Sequence, residues 1–212
     1  VMINALAADP TMPVKNEDGS YTNPFLYYSW WALENPVASA DIYRRNTVTN
    51  RLNSSFFGIY QLIENLSLRS TISVDYSFLK DNMHYPSNTM GAISTGATGV
   101  GMYANSESLT WLTENMLTYD KQIGYNKLNT TLVYTTQKNE HNVASINAQN
   151  YSHDDFGAIG LAADITDAST METSWGMESM IARLSFNHKN KFYILSSVRR
   201  DGSSRFGKEK QH

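Results

Sequence analysis

The 212-residue chain contains no cysteine, which excludes disulfide bridges and thiolate metal sites within it. Charged residues make up only 17%, below the roughly 25% of ordinary soluble domains. The net charge of −3 gives no basic footprint, so we expect no nucleic-acid partner. No apolar run approaches the roughly 20 residues of a membrane-spanning helix. This last absence excludes helical membrane proteins but not barrels, whose strands hide apolar residues in alternate positions.

Strict period-2 alternation runs from Leu66 to Phe78. Such alternation predicts a strand with one apolar and one polar face. The even positions are mostly apolar: Leu66, Leu68, Ser70, Ile72, Val74, Tyr76 and Phe78. The odd positions are polar or charged: Ser67, Arg69, Thr71, Ser73, Asp75 and Ser77.

The same pattern predicts three long hairpins, over residues 51–80, 109–137 and 178–200. Turns within each hairpin are short, at residues 63–65, 123–127 and 187–191, whereas the links between hairpins, residues 81–106 and 149–174, are long and rich in Gly, Ser, Asn and Asp. Strands of about ten or more residues suit a tilted membrane strand. Short turns on one side and long loops on the other are typical of outer-membrane barrels.

We therefore predict an all-β fold: an antiparallel membrane β-barrel fragment with about six long strands in three hairpins. The alternative is a soluble or surface-exposed β-sheet domain that binds carbohydrate or a protein partner. It explains the alternation equally well but the asymmetry of loop lengths less well. Six strands cannot close a barrel, since the smallest use about eight. The chain also starts with Val and ends in KEKQH, so we expect a piece of a longer barrel.

The expected organisation has three parts. Residues 1–45 form a long extracellular loop region with one short helix at most. Residues 46–205 hold the transmembrane strands and loops of an incomplete barrel, and residues 206–212 form a truncated loop. An aromatic cluster in the first part is the best candidate for ligand contact, although packing against neighbouring loops is the alternative. Its members are Tyr27, Tyr28, Trp30 and Trp31.

The stretch VRRDGSSRFG, residues 198–207, resembles a signature in the barrel of SusC/RagA-type TonB-linked outer-membrane transporters. DPTMPVKNEDGSY and ENPVASADIYRRN resemble further segments of that family, as does the hairpin ENMLTYDKQIGYNKLNTTLVYTTQK. The resemblance covers nearly the whole chain in the right order. The Arg-Asp-Gly-Ser-Ser-Arg-Phe motif is quite specific, while each hairpin alone is a weak signal.

The resemblance implies a barrel of 22 strands, filled by an N-terminal plug and embedded in outer-membrane lipid of a Gram-negative, Bacteroidota-like cell. It further implies energy from a TonB complex through the plug, a SusD-like lipoprotein lid, and glycan or peptide substrates. The chain shows no TonB box, plug or closing C-terminal strand. It therefore matches only a middle section of the barrel.

The signature reads as the exit of a strand into an extracellular loop; substrate binding is the alternative. Arg199 and Asp201 share the polar side and are expected to pair. Arg200 follows the lipid-facing parity and can snorkel to the interface. Asp201-Gly202 is a turn former, and Gly202 permits a positive φ. The motif residues are Arg199, Arg200, Asp201, Gly202, Ser203, Ser204, Arg205 and Phe206.

Other chemistry has weak support in the sequence. The residues His141, His153, Asp154 and Asp155 match no metal-ligand spacing. The glycine-rich stretch GAISTGATGVG lacks the ending of a phosphate loop and reads as a flexible loop. A glycan hydrolase would need two opposed carboxylates in a cleft, and nothing marks Glu114, Asp120 or Asp75 as such a pair. We expect no enzyme activity, no metal and no cofactor.

Overall fold

The computed structural model describes residues 2–23 and 34–206. Within these ranges, six strands form one sheet in which each strand pairs with its neighbours along the chain. The predicted all-β fold with six strands in hairpin order is confirmed. The strands are β1 (Arg44–Ile63), β2 (Leu66–Tyr85), β3 (Val100–Ile123), β4 (Asn126–Tyr151), β5 (Ala162–His188) and β6 (Phe192–Ser203).

Each hairpin closes through a short turn that uses a left-handed backbone conformation. Asn65 has φ +71° in the first turn, and Gly124 has φ +58° in the second. In the third turn Lys189 and Asn190 have φ +53° and +55°. Asn and Gly tolerate this region because of local hydrogen bonding or the absence of a Cβ. All three turns fall where the sequence predicts them.

The strands are longer than the alternation indicates. β4 has 26 residues and β5 has 27, against the predicted ten to fourteen. The links between hairpins shrink accordingly to residues 86–99 and 152–161, which corrects the predicted 81–106 and 149–174. Parts of the extensions, such as residues 138–142, are polar on both faces. Backbone pairing therefore continues beyond the point where a hydrophobic period can signal it.

The described residues before β1 include two short helices, where the sequence predicts one at most. They are α1 (Met2–Ala7) and α2 (Pro36–Ile42). Asn35 caps α2, because its side chain accepts hydrogen bonds from the amides of Val37 and Ala38 at 3.1 and 3.3 Å. β1 begins at Arg44, two residues before the predicted start of the strand region. Over the described ranges, the helices are too short and too polar to cross a membrane.

The glycine-rich link is more ordered than the sequence predicts. Thr89 caps a single helical turn, α3 (Met90–Ile93), by accepting a hydrogen bond from the amide of Ala92. β3 then begins at Val100, so Gly101 is a strand residue rather than part of a flexible loop. Glycine there makes room for a neighbouring ring, described below.

Two compact units divide the chain, the first with residues 1–49, 79–105 and 143–171 and the second with residues 50–78, 106–142 and 172–212. Among the described residues, every buried hydrophobic side chain belongs to the first unit: Ala38, Ala92, Ala97, Ala148 and Tyr151. The second unit instead exposes large apolar side chains. They include Leu52, Phe56, Ile72, Leu132, Met180, Leu184, Ile194 and Val198.

The register between β5 and β6 places many apolar side chains of this hairpin on one face, although Ile181, Tyr193 and Leu195 lie on the other. Ala182 lies opposite Val198, and Phe186 lies opposite Ile194. Arg183 lies opposite Ser197 on the other face. Because directly opposed residues share a face of the sheet, the hairpin has the largely apolar face that the alternation predicts, and a second face that mixes polar and apolar side chains.

Candidate functional site

The polar face of β1 and β2 in the second unit carries paired side chains. Arg51 binds Asp75 through two contacts, Nε to Oδ1 at 3.0 Å and Nη2 to Oδ2 at 2.6 Å. The hydroxyls of Ser55 and Ser73 lie 2.9 Å apart. These contacts join odd positions of β1 to odd positions of β2. They show that the two polar series share a face.

The polar face continues across β3 and β4 in the same unit. The Asn139 amide donates to the hydroxyls of Ser108 and Thr110 at 3.2 and 2.8 Å. Asp120 accepts a hydrogen bond from Asn129. Cross-strand pairs of this kind satisfy polar groups without a buried core. The face therefore suits contact with water.

Two polar residues interrupt the apolar series of β2 and β3 in the second unit. The hydroxyl of Ser70 donates to Oδ1 of Asn115 at 2.7 Å. Ser70 is an even position among Leu68, Ile72 and Val74, so it belongs to the apolar face. The pair satisfies its polar atoms internally, as an apolar environment demands.

The sequence signature lies on β6 and in the turn after it, within the second unit. Arg199 Nε contacts both carboxylate oxygens of Asp201, at 2.9 and 2.8 Å, which confirms the predicted pair. Ser179, directly opposite Asp201 on β5, also donates to that carboxylate. Asp201 thus joins its own strand to the neighbouring one.

The end of the signature differs from the expected Asp-Gly turn. Gly202 is buried and pairs with Glu178 inside β6, and it is absent from the residues with positive φ. Hydrogen bonds with Gly176 extend the pairing to Ser204, whose amide donates at 3.0 Å and whose hydroxyl accepts at 2.9 Å. The strand therefore continues to Ser203, and the turn forms at Ser204 and Arg205.

The last described residues of the signature pack beside β5. The Arg205 guanidinium lies 4.9 Å from the centre of the Trp175 ring, within cation–π range. Phe206 is exposed, and its amide donates to the Ser203 carbonyl at 3.2 Å. Arg200 lies opposite Met180 in the ladder, on the apolar face. Its expected snorkelling role and the strand-exit role of the motif remain predictions.

The first unit contains a groove of about 430 Å³ between the ends of β1 and β2 and the link at residues 152–161. We call it the loop-side groove. Its lining combines guanidinium, amide and imidazole groups: Tyr43, Arg44, Arg45, Asn46, Asn82, His84, Gly157 and Ala158. Arg45 is committed to Asp81 through contacts of 3.1 and 2.6 Å, and Thr47 donates to the same carboxylate at 2.7 Å.

Arg44 makes weaker electrostatic contacts than Arg45. Its Nη1 donates to the backbone carbonyl of Asp155 at 2.7 Å. Its Nη2 lies 4.0 Å from the Asp155 carboxylate, and that side chain is 87% exposed. An ion pair this long and this exposed is weak. Arg44 therefore brings a largely uncompensated positive charge to the groove.

His84 reaches the groove from β2, beyond the apolar alternation that ends at Phe78. It is 2% exposed, and neither ring nitrogen has a hydrogen-bond partner within the structure. Its ring packs edge-on against Tyr151 with centroids 4.7 Å apart. Burial lowers the pKa of His84, the Arg44 charge lowers it further, and Asp154 opposes both.

Glycines make this packing possible. A Cβ on Gly157 would lie 2.6 Å from the His84 Cβ, and a Cβ on Gly101 would lie 2.0 Å from the Tyr151 hydroxyl. Both distances are too short for any side chain. Gly101 in β3 and Gly157 in the link after β4 therefore serve close packing, a role that the sequence reasoning missed.

Glu34 organises the segment before β1 in the first unit. Its carboxylate accepts hydrogen bonds from the hydroxyls of Ser39 and Tyr43 and from the amide of Met90. Burial, and then the bond to Glu34, raise the pKa of Tyr43. The Tyr43 ring also stacks on Tyr85, with centroids 4.2 Å apart. One carboxylate thus ties α2 and the start of β1 to α3.

The remaining candidates from the sequence can be placed briefly. The aromatic cluster Tyr27, Tyr28, Trp30 and Trp31 lies outside the described residues. Asp154 accepts hydrogen bonds from the amide and hydroxyl of Ser87, both at 2.7 Å, and so caps the link after Pro86. Within residues 2–23 and 34–206, no group of three or more His, Asp or Glu side chains could hold a metal ion.

Comparison with curated proteins finds relatives that match the chain from end to end. TonB-dependent receptor P26 of Formosa agariphila is 28% identical over 99% of the chain, and TonB-dependent receptor P3 of the same organism is 25% identical over all of it. The chain spans about a fifth of these relatives, 21% of each. No family model matches the sequence.

Comparison with solved structures finds the same fold in the RagAB peptide transporter. The TM-score is 0.75 at 17% identity, over 84% of this chain and 20% of the transporter chain. A second structure of that system, the RagAB peptide importer in the closed-closed state, gives the same values. The predicted resemblance to SusC/RagA-type TonB-linked transporters is confirmed.

Proposed function

We propose that this chain forms a section of the barrel wall of a TonB-dependent outer-membrane transporter that imports glycans or oligopeptides. The observation that carries this proposal is the inverted burial of the second unit. Many of its described apolar side chains are exposed and none is buried, while polar side chains pair with one another on the opposite face. Lipid on one side and water on the other satisfy both faces at once.

The soluble β-domain is disfavoured by the same observation. A soluble sheet covers its apolar face with a second layer, and the described part of the second unit contains none. Phe56 is 75% exposed and Val198 is 67% exposed. A contiguous apolar face of this kind in water would promote aggregation.

The two edge strands bear on how the wall is completed. β1 and β6 are the edges of the sheet. Unpaired edges are not tolerated in lipid, because each free backbone group there costs several kcal/mol. We infer that further strands of the same protein pair with β1 and β6. A chain that spans about a fifth of its relatives is consistent with such a section.

The partners and substrates follow from the relatives. Receptors named as TonB-dependent support coupling to a TonB complex through a plug, and the RagAB peptide transporter supports peptides as one substrate class. We propose a SusD-like lipoprotein lid over the mouth and outer-membrane lipid around the wall. The chain itself carries out no catalysis in this proposal. Its role is to separate lipid from a polar interior.

Neighbouring positions on β2 provide a direct test. Spin labels on Ile72→Cys and Ser73→Cys, introduced separately into the protein expressed from its own gene, sample opposite faces, and this chain has no cysteine that interferes. In outer-membrane vesicles we expect oxygen, which concentrates in lipid, to relax the label at 72. A water-soluble nickel complex should relax the label at 73.

The alternatives give different results. If the label at 72 is inaccessible to both reagents, Ile72 lies in a protein core and the soluble-domain reading is correct. If both labels respond only to the nickel complex, β2 does not contact lipid and the barrel proposal fails. Fractionation of the same samples should place the protein with the outer membrane.

A further inference from the structure

The loop-side groove has the donors of an anion site and no acid in its lining. It contains two arginines, two asparagines and His84, without a carboxylate among its lining residues. Asp81 neutralises Arg45, whereas the partners of Arg44 among the described residues are a backbone carbonyl and a distant, exposed carboxylate. Guanidinium and amide groups are the donors that recognise phosphate and carboxylate oxygens.

His84 supplies an independent observation that points to a ligand. A neutral imidazole has one donor and one acceptor nitrogen. In a residue 2% exposed, both lack partners, and the side chain lines the groove. Leaving buried polar groups unpaired is unfavourable. Packing alone would be served better by an apolar residue at this position, so it does not explain the imidazole. A bound oxyanion would accept a hydrogen bond from the ring.

We propose that the loop-side groove binds an oxyanion group, with Arg44 as the charged donor, the amides of Asn46 and Asn82 as neutral donors, and His84 as a donor that strengthens on protonation. The site stands independently of the transport function. The chemistry fits a phosphate or carboxylate on a soluble ligand and equally the phosphate of a lipid headgroup.

The charges that face His84 predict how binding depends on pH. Arg44 on β1 disfavours protonation of His84, while Asp154 in the link after β4 favours it, and Tyr151 covers the ring. A bound anion offsets the Arg44 charge and raises the His84 pKa. Protonation and anion binding therefore support each other, so affinity rises as pH falls below about 6.5.

Sulfate is a suitable probe, because its charge is constant over this range. With the intact protein in detergent, we expect Arg44→Gln to weaken sulfate binding about tenfold, the usual effect of losing a charge-assisted hydrogen bond. Arg183→Gln is the matched control, since it removes the same charge outside the groove. It should leave sulfate affinity unchanged. Calorimetric titration at pH 8 and pH 5.5 gives the affinities.

Two further variants keep the test decisive. Asn82→Asp places a negative charge in the groove with little change in shape and should abolish sulfate binding, even if Arg44→Gln fails to fold. His84→Gln should match the unmodified protein at pH 8 but lose the gain at pH 5.5. Equal affinities in Arg44→Gln and the unmodified protein, or equal losses in Arg44→Gln and Arg183→Gln, would overturn the proposal.

Lipid analysis separates the two sources of the anion. If native mass spectrometry detects anionic lipid that is retained by the unmodified protein and lost in Arg44→Gln, the natural ligand is a headgroup. If sulfate binds and no such lipid is retained, the ligand is soluble. Absence of both sulfate binding and retained lipid would refute the site.

Discussion

Ser70 on β2 donates a hydrogen bond to Asn115 on β3, and the two residues interrupt an otherwise apolar face. In lipid neither side chain has water as an alternative partner. Hydrogen bonds between side chains in membranes contribute about 0.6–2 kcal/mol. The pair should therefore stabilise the folded protein only while both members are present.

A double-mutant cycle tests this relationship. We expect Ser70→Ala to lower the free energy of unfolding by about 1–2 kcal/mol, because Asn115 loses its donor. Adding Asn115→Leu to that variant should restore most of the loss, since both positions become apolar. Urea unfolding in vesicles, followed by heat-modifiable gel mobility, measures the effect. An Asn115→Leu change that destabilises the double variant further would show that this face meets water.

The two acidic residues that bind arginines on β2 should differ in importance. Asp81 is 5% exposed and accepts hydrogen bonds from Arg45 and Thr47, whereas the Asp75 side chain is 31% exposed and binds Arg51. We expect Asp81→Ala to cost about 2–3 kcal/mol of unfolding free energy, since it removes a buried carboxylate together with its hydrogen bonds to Arg45 and Thr47. Asp75→Ala should cost clearly less. Equal losses in urea unfolding would contradict this ranking.

The close contact at Gly157 predicts that even one methyl group is too large. Gly157→Ala would place its Cβ against the His84 side chain, and overpacking of this kind costs about 1–3 kcal/mol. Gly160→Ala is the control, because a Cβ there meets nothing within 4 Å. Hydrogen exchange of the link at residues 152–161 should accelerate in the first variant only. Similar exchange in both would mean that the link is not held by this contact.

The lowered pKa of His84 predicts a loss of stability as the pH falls through about 6.5, the ordinary pKa of histidine. The unfolded chain binds a proton near its ordinary pKa of about 6.5 while folded His84 resists it, so stability present above that pH is lost as pH falls. His84→Leu should remove this part of the pH dependence. Unfolding midpoints measured in a non-binding buffer such as MES, without sulfate or phosphate, provide the test. An unchanged slope in His84→Leu would assign the effect to another group.

The strand pattern was predictable from the sequence wherever one face is apolar. Residues Leu66–Phe78 alternate strictly between apolar and polar side chains. The turn at Asn65 was predictable from the residues that form it, Ile63-Glu64-Asn65. The full strand lengths were not predictable, because residues such as those at 138–142 are polar on both faces and interrupt the period. Backbone pairing, which is nearly independent of side-chain type, continues through them.

Less of the candidate site than of the strand pattern could be predicted from the sequence. The pairing of Arg199 with Asp201 was predictable, since two residues on one strand separated by one position share a face. The contact between His84 and Tyr151 joins residues that are far apart along the chain, and nothing local indicates it. In the sequence, Gly101 and Gly157 looked like flexible loop residues. A glycine does not show which neighbouring side chain will occupy the space beside its Cα.

The length of β4 and β5 predicts where proteases added to cells would cleave this protein. A membrane-spanning strand needs only about 9–11 residues, and these strands have 26 and 27. In the proposed barrel, more than half of each strand would lie outside the hydrocarbon layer, yet its backbone remains hydrogen-bonded to neighbours. Proteases bind extended, unpaired segments. When intact cells are treated with protease, cleavage of the protein should therefore concentrate in the links at 86–99 and 152–161 and spare most of the surface-exposed backbone.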